Sequence, residues 1–165
     1  TDLRCEAYGS TDLAVSAMGL ARGLSQDPKV KSILLKVQNE MFIVGAELAT
    51  DLSQYQNLVK SFKIVTEEMV FWLETLIDEL AAEFELPNAF IVPGASTASG
   101  ALDMARSQLR TAERRVVELK EHDLLVNPEV LRYMNRLSDL LFMLARYEDR
   151  NNPMDVLTDL TRIAK

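Results

Sequence analysis

The sequence predicts an all-α bundle of five long helices. Three observations carry that prediction. Apolar residues recur at spacings of three and four along five long stretches. No stretch reads convincingly as a β-strand, apart from a short strand-like lead at Phe90-Ile91-Val92. Chain-breaking Pro, Asn, Asp and Gly residues fall between the periodic stretches. With 165 residues, 48% of them hydrophobic and 26% charged, residues 1–165 make one domain with room for a core. No repeat of 20 to 50 residues and no low-complexity tract is visible.

Taken in order, Thr1 to Gly9 reads as a polar lead, and Ser10 or Thr11 as the cap of a first helix reaching Leu24. Its apolar stripe is expected through Leu13, Ala17 and Leu20, with Gly19 allowing close approach. Pro28, after Ser25-Gln26-Asp27, suits the first position of a second helix running to Thr50. Val30, Ile33, Leu34, Val37, Met41, Val44 and Leu48 form its stripe, and Gly45 marks a close helix contact. Asp51 to Ile64 is irregular, with room for a short helical turn. Thr66 caps a third helix to Phe84, with Val70, Leu73, Leu76, Ile77 and Leu80 inward. Leu86-Pro87-Asn88 breaks it, and a loop through Pro93-Gly94 extends to Gly100. A fourth helix then runs to Lys120. The fifth runs from Asn127-Pro128 to Arg150, and Met154 to Lys165 can form a short amphipathic tail helix.

A net charge of -7 opposes sequence-independent nucleic-acid binding, which needs a basic face to release counterions. It equally opposes an anionic membrane surface, and no apolar run approaches 18 residues. Cys5 is the single cysteine, which excludes an internal disulfide and fits a reducing, cytoplasmic setting. The single histidine, His122, lies at a helix end and reads as a partner of the helix dipole. A di-metal carboxylate bundle needs Glu-x-x-His on two helices, and a Ser-His-Asp site needs a placed histidine; neither can be assembled. The acidic pairs Glu67-Glu68 and Asp78-Glu79 sit on exposed helix faces and read as solvated.

The candidate chemistry lies in the fourth helix. Arg106, Arg110 and Glu113 share one face, beside the apolar row Leu102, Ala105, Leu109, Ala112 and Val116. Two fixed guanidinium forks suit a polyphosphate, and the same row suits an Arg–Glu network tying helices together; periodicity leaves both open. On the fifth helix Asn135, Asp139, Phe142 and Arg146 share a face beside Leu137, Leu140, Leu141 and Leu144.

The stretches ARSQLRTAERRVVEL and YMNRLSDLLFMLARYED together resemble the cobalamin adenosyltransferases of the propanediol-utilisation type. FIVPGAS is similar to that family's F-x-x-PGG-S, and AYGSTDLAVSAMGLAR to its A-x-G-x-x-D-E-L-N-x-x-x-G-x-A-R. Gln38 to Ala49 resembles its second helix, so the likeness reaches nearly to Asp149.

The resemblance implies a ferritin-like up-and-down bundle assembling as a homotrimer, with active sites between subunits. It implies transfer of the 5′-deoxyadenosyl group of ATP to cob(I)alamin, with Mg2+ accompanying the triphosphate and an electron-donating reductase as a further partner. Asp12 would pair with Arg106 across the subunit boundary. Arg110 would meet the ATP phosphates, and Glu113, Asn135 and Arg136 would surround the nucleotide. Phe90 by itself reads as core; the resemblance places it under the corrin, excluding the lower axial ligand from cobalt. Nothing in this chemistry needs a protein nucleophile or general base.

The sequence also departs from the pattern. Asp103 stands where the family has His, Thr111 replaces the second Arg of an Arg-Arg pair, Ala14 and Leu13 alter Asp-Glu-Leu, and Ala95 replaces a Gly. The family's Gly-rich T-x-T-G-D-x-G-x-T segment, which wraps ATP phosphates, does not occur within residues 1–165. That leaves two alternatives beside the enzyme: a non-catalytic relative that binds or hands over a corrinoid, and a helical-bundle interaction protein.

Overall fold

Capping chemistry sets where most of the helices begin. A computed structural model describes residues 2–157 and shows six α-helices, five long and one short. Helix α1 (Leu3–Leu24) starts where the Asp2 carboxylate accepts the Arg4 backbone N–H at 2.9 Å. The expected polar lead is thus helical, and Ser10 and Thr11 are interior. The buried row of α1 is Ala7, Thr11, Ala14, Met18 and Ala21, not the expected Leu13, Ala17 and Leu20. Leu13 and Leu20 are more than half exposed. The small residues are inward because α1 packs tightly on its neighbours.

Helix α2 (Pro28–Ala49) follows expectation: Asp27 accepts from Lys29 N and Val30 N, and the whole predicted stripe is buried. Its glycine has the expected reason, since a Cβ at Gly45 would sit 3.3 Å from the Tyr8 ring of α1. The irregular stretch contains a 3-10 turn (Leu52–Gln54) and helix α3 (Tyr55–Ser61). Helix α4 (Glu67–Glu83) is capped by Thr66, which accepts from Met69 N. Helix α5 (Thr97–Glu121) begins four residues earlier than expected. Ser96 and Ser99 cap each other's backbone N–H reciprocally, which turns the supposed loop into the first helical turn. Helix α6 spans Glu129–Glu148, and Asn127 accepts from Glu129 N.

The strand-like lead at Phe90 and Ile91 is a strand, but its partner was unexpected. Strand β1 (Phe90–Ile91) pairs antiparallel with β2 (Val156–Leu157), Phe90 opposite Leu157. Val156 and Leu157 are therefore extended where a tail helix was expected. The rest of that predicted helix lies outside the described residues.

Cross-helix contacts fix the topology as up-and-down. At one end Ser25 meets Glu148, Arg150 meets Asp27, and Phe84 packs edge-on against Tyr147. At the other end the Arg4 guanidinium donates to the carbonyls of Leu48 and Leu124. There the buried Glu47 carboxylate accepts from Tyr55, Val65 N and Asn127. Helices α5 and α6 run antiparallel in register, with Asp103 beside Arg146 and Glu113 beside Asn135. The core lies between α1, α2, α5 and α6, with α4 covering α6.

Candidate functional site

Burial alone sorts the residues of the α5–α6 seam. On α5, Leu102, Ala105, Leu109, Ala112 and Val116 are fully buried. One helical step to the side, Arg106 and Glu113 are half-buried and Arg110 is exposed. On α6, Leu137, Leu140, Leu141 and Leu144 are fully buried, while Asn135 and Asp139 face outward. The two polar rows meet along the seam, where Asn135 donates to Glu113 at 3.0 Å.

Partner geometry sets two arginines apart. Among the described residues, Arg106 and Arg110 make no hydrogen bond or ion pair through their side chains, and the Nε of Arg106 is buried without an acceptor. Every other described arginine has a polar partner. Arg4 donates to carbonyls and Arg22 to Gln38. Arg114 donates to Thr111. Arg115, Arg132, Arg136, Arg146 and Arg150 each hold a carboxylate. An Arg–Glu network tying helices together therefore does exist, but it does not include the two arginines on the predicted face. Arg106 instead places its guanidinium carbon 5.9 Å from the centroid of the Phe142 ring.

Further along α5, at Glu113, the helix borders a cleft of about 320 Å³ lined also by Asn135, Arg136 and Glu74, with Val70 and Val117 as apolar surface; neither Arg106 nor Arg110 lines it. Arg136 donates to Glu74 at 3.1 Å and to Asp139 at 3.2 Å. The Glu74 bond first, then that to Asp139, raises its pKa above the ordinary arginine value, so it is a fixed cation. The Glu74–Arg136 bridge also borders a second cleft of similar size, with Asp78 and Asp139.

Two predicted residues stand apart. Phe90 is 74% exposed on β1, so its reading as core does not hold. Gly94, with φ of 104°, makes the turn from β1 into the Ser96 cap, a conformation that a side chain would strain. Arg106 and Arg110 follow roughly two and a half and three and a half turns along α5 from its start. Asp12 is exposed in a separate cleft of about 250 Å³ between α1 and α2, beside Tyr8 and Phe42, and it forms no ion pair with Arg106 within the chain. His122 lies at the end of α5 with Nδ1 2.8 Å from the Glu118 carbonyl, as a dipole partner should.

Sequence reasoning missed the partner of Asp103. The carboxylate, on the buried side of α5, accepts from Arg146 at 2.6 Å, and both residues are almost inaccessible. Glu74 was missed too, because it reaches Arg136 from another helix.

The fold and this seam define a class: a helical bundle with two cations, unpaired among the described residues, on a helix that also borders a ligand-sized cleft. Residues 1–148 match the model of the cobalamin adenosyltransferase family, and the chain belongs to that family. It is 38% identical over 149 residues to corrinoid adenosyltransferase PduO of Salmonella typhimurium, covering 90% of this chain and 43% of that protein. It is 42% identical over 148 residues to the corrinoid adenosyltransferase of Bacillus subtilis, covering 87% and 73%. Among solved structures it resembles a phenylalanine-to-alanine variant of a PduO-type ATP:corrinoid adenosyltransferase from Lactobacillus reuteri complexed with cobalamin and ATP. The TM-score is 0.86 and the identity 31%, over 96% of this chain and 88% of that one. An arginine-to-lysine variant of the Lactobacillus reuteri enzyme complexed with ATP superposes with a TM-score of 0.83 at 31% identity, covering 95% and 87%.

Proposed function

We propose that the chain is an ATP:corrinoid adenosyltransferase, carrying the 5′-deoxyadenosyl group of ATP to cob(I)alamin and releasing triphosphate. The observation that carries the reading is the adjacent pair Arg106 and Arg110, which make no polar contact among the described residues, on a seam otherwise rich in arginine–carboxylate pairs. Cations left without counter-charges within their own chain are placed to receive an anion. Family membership and the ATP- and cobalamin-bound state of the Lactobacillus reuteri structure name the anion and the acceptor.

In this reading Co(I) donates an electron pair to C5′ as the C5′–O bond breaks and triphosphate leaves with that bond's electrons. Arg106 and Arg110 stabilise the charge on the departing triphosphate. Glu113, Asn135 and Arg136 hold the nucleotide at the cleft they line. Phe90, projecting at the N-terminal end of α5, covers the lower face of the corrin. Among the described residues no three His, Cys, Asp or Glu side chains are grouped to hold a metal, so Mg2+ would enter on the triphosphate oxygens. The assembly is a homotrimer with Asp12 of one copy reaching one edge of the Arg106 fork of the next, whose remaining N–H donors face the triphosphate. An electron-donating reductase supplies Co(I), and the setting is cytoplasmic. No described helix is long and apolar enough to cross a membrane.

The test is product analysis. Incubation with ATP and chemically reduced cobalamin should yield adenosylcobalamin and inorganic triphosphate in equal amounts. Corrinoid binding without any triphosphate release would support a hand-over protein instead.

A further inference from the structure

We propose that Asp103 is a positioning residue for the triphosphate site, acting on Arg106 through Arg146 and Phe142; the inference rests on the proposed role of Arg106 at the triphosphate. Asp103 and Arg146 are 6% and 2% exposed, and their side chains meet at 2.6 Å. A buried guanidinium needs such a counter-charge, and its fork is thereby fixed in orientation. The guanidinium carbon of Arg146 lies 5.2 Å from the centroid of the Phe142 ring, and that of Arg106 lies 5.9 Å from the same centroid. One ring thus contacts both cations, and it supports the Arg106 head group, whose Nε has no acceptor.

The chain of contacts has a direction. Asp103 neutralises and fixes Arg146. Arg146 fixes Phe142 from the buried side. Phe142 then contacts the Arg106 head group through its ring and takes up none of its N–H donors. Asp103 stands one helical turn before Arg106 on α5, so both ends of the relay share one rigid element. Placed behind Phe142, the Asp103 charge orients Arg106 without itself bonding to any of its N–H donors.

The test compares Asp103→Asn, Phe142→Leu and the double variant. The ATP dissociation constant is measured by calorimetry, with KM for ATP and for cobalamin and thermal melts alongside. Each single variant should weaken ATP about tenfold, the size of one cation–π contact, and leave KM for cobalamin unchanged. The double variant should be no weaker than Phe142→Leu alone, because both act through one ring. A lower melting temperature with unchanged ATP affinity would make the pair purely structural and overturn the proposal. Fully multiplicative effects would overturn it as well. If Asp103→Asn does not fold, Phe142→Leu decides, since unchanged ATP affinity there removes the relay. A parent chain that binds ATP without forming adenosylcobalamin would defeat the adenosyltransferase reading, while the affinity series would still decide the relay.

Discussion

Arg146 and Arg110 lie on facing helices of one seam, and burial gives them opposite fates. Arg146 is 2% exposed and must be paired, which Asp103 does. Replacing Arg146 by Met should leave the Asp103 carboxylate buried and alone, costing about 3–5 kcal/mol in chemical denaturation. Arg110 is exposed and makes no polar contact among the described residues, so Arg110→Ala should stay within about 0.5 kcal/mol of the parent. A large loss there would mean that Arg110 has a structural partner. Phe90 belongs with Arg110: a side chain 74% exposed adds little to folding. Phe90→Ala should keep the melting temperature and ATP affinity but lose the optical and magnetic signature of four-coordinate cob(II)alamin. Unfolding of that variant would return Phe90 to the core.

At the scale of helices, one buried contact stitches α6 to α2. The Tyr133 hydroxyl donates to Glu40 at 2.6 Å, while Lys36 pairs with the same carboxylate and lies over the Trp72 ring. Tyr133→Phe should cost about 1.5–3 kcal/mol, the value of a hydrogen bond to a charged acceptor. Burial first, then the Glu40 charge, pushes the Tyr133 pKa well above its usual value. A raised folded pKa means that this stability is complete below about pH 10 and is lost as pH rises from there toward the folded value. Denaturation from about pH 9 to about pH 11.5 should therefore show an alkaline decline that is shallower in Tyr133→Phe. It should not vanish, because Tyr55 is raised in the same sense by burial and Glu47. An identical decline in both proteins would remove Tyr133 as a source.

The same scale explains what could be read in advance. Helix α2 was legible because its buried row is made of large apolar residues behind an Asp-Pro start. The phase of α1 was not, because its inward row is Ala, Thr and Met while its leucines face outward. The start of α5 was hidden by small residues of modest helix propensity that succeed only through the Ser96–Ser99 box. The β1–β2 ladder joins segments from distant parts of the chain, which no local pattern reveals. The Arg106–Arg110–Glu113 row was legible because it depends on helical spacing alone. The Asp103–Arg146 pair crosses between helices, so Asp103 was visible only as an acid where the family pattern has His.

For the whole molecule, the outer face of α1 and α2 bears on assembly. Tyr8, Leu13, Leu20 and Phe42 are all close to half exposed or more, and Asp12 lies among them. Such apolar surface is suited to burial against another copy. Sedimentation at micromolar concentration should give about three times the 18.6 kDa chain mass, and Phe42→Asp should shift it toward the monomer. A parent that sediments as a stable monomer would contradict the trimer and the shared site with it.

If Arg106 and Arg110 serve the triphosphate, Arg110→Lys is the variant that shows it. The variant keeps the charge and loses the planar two-donor fork. Adenosylcobalamin formation from ATP and cob(I)alamin should be followed in parent and variant, with thermal melts beside it. The parent should be active, the melting temperatures equal, and the variant's rate about 30- to 1000-fold lower, from roughly 2–4 kcal/mol of lost charge stabilisation. Equal rates in parent and variant would contradict a role for Arg110 at the triphosphate.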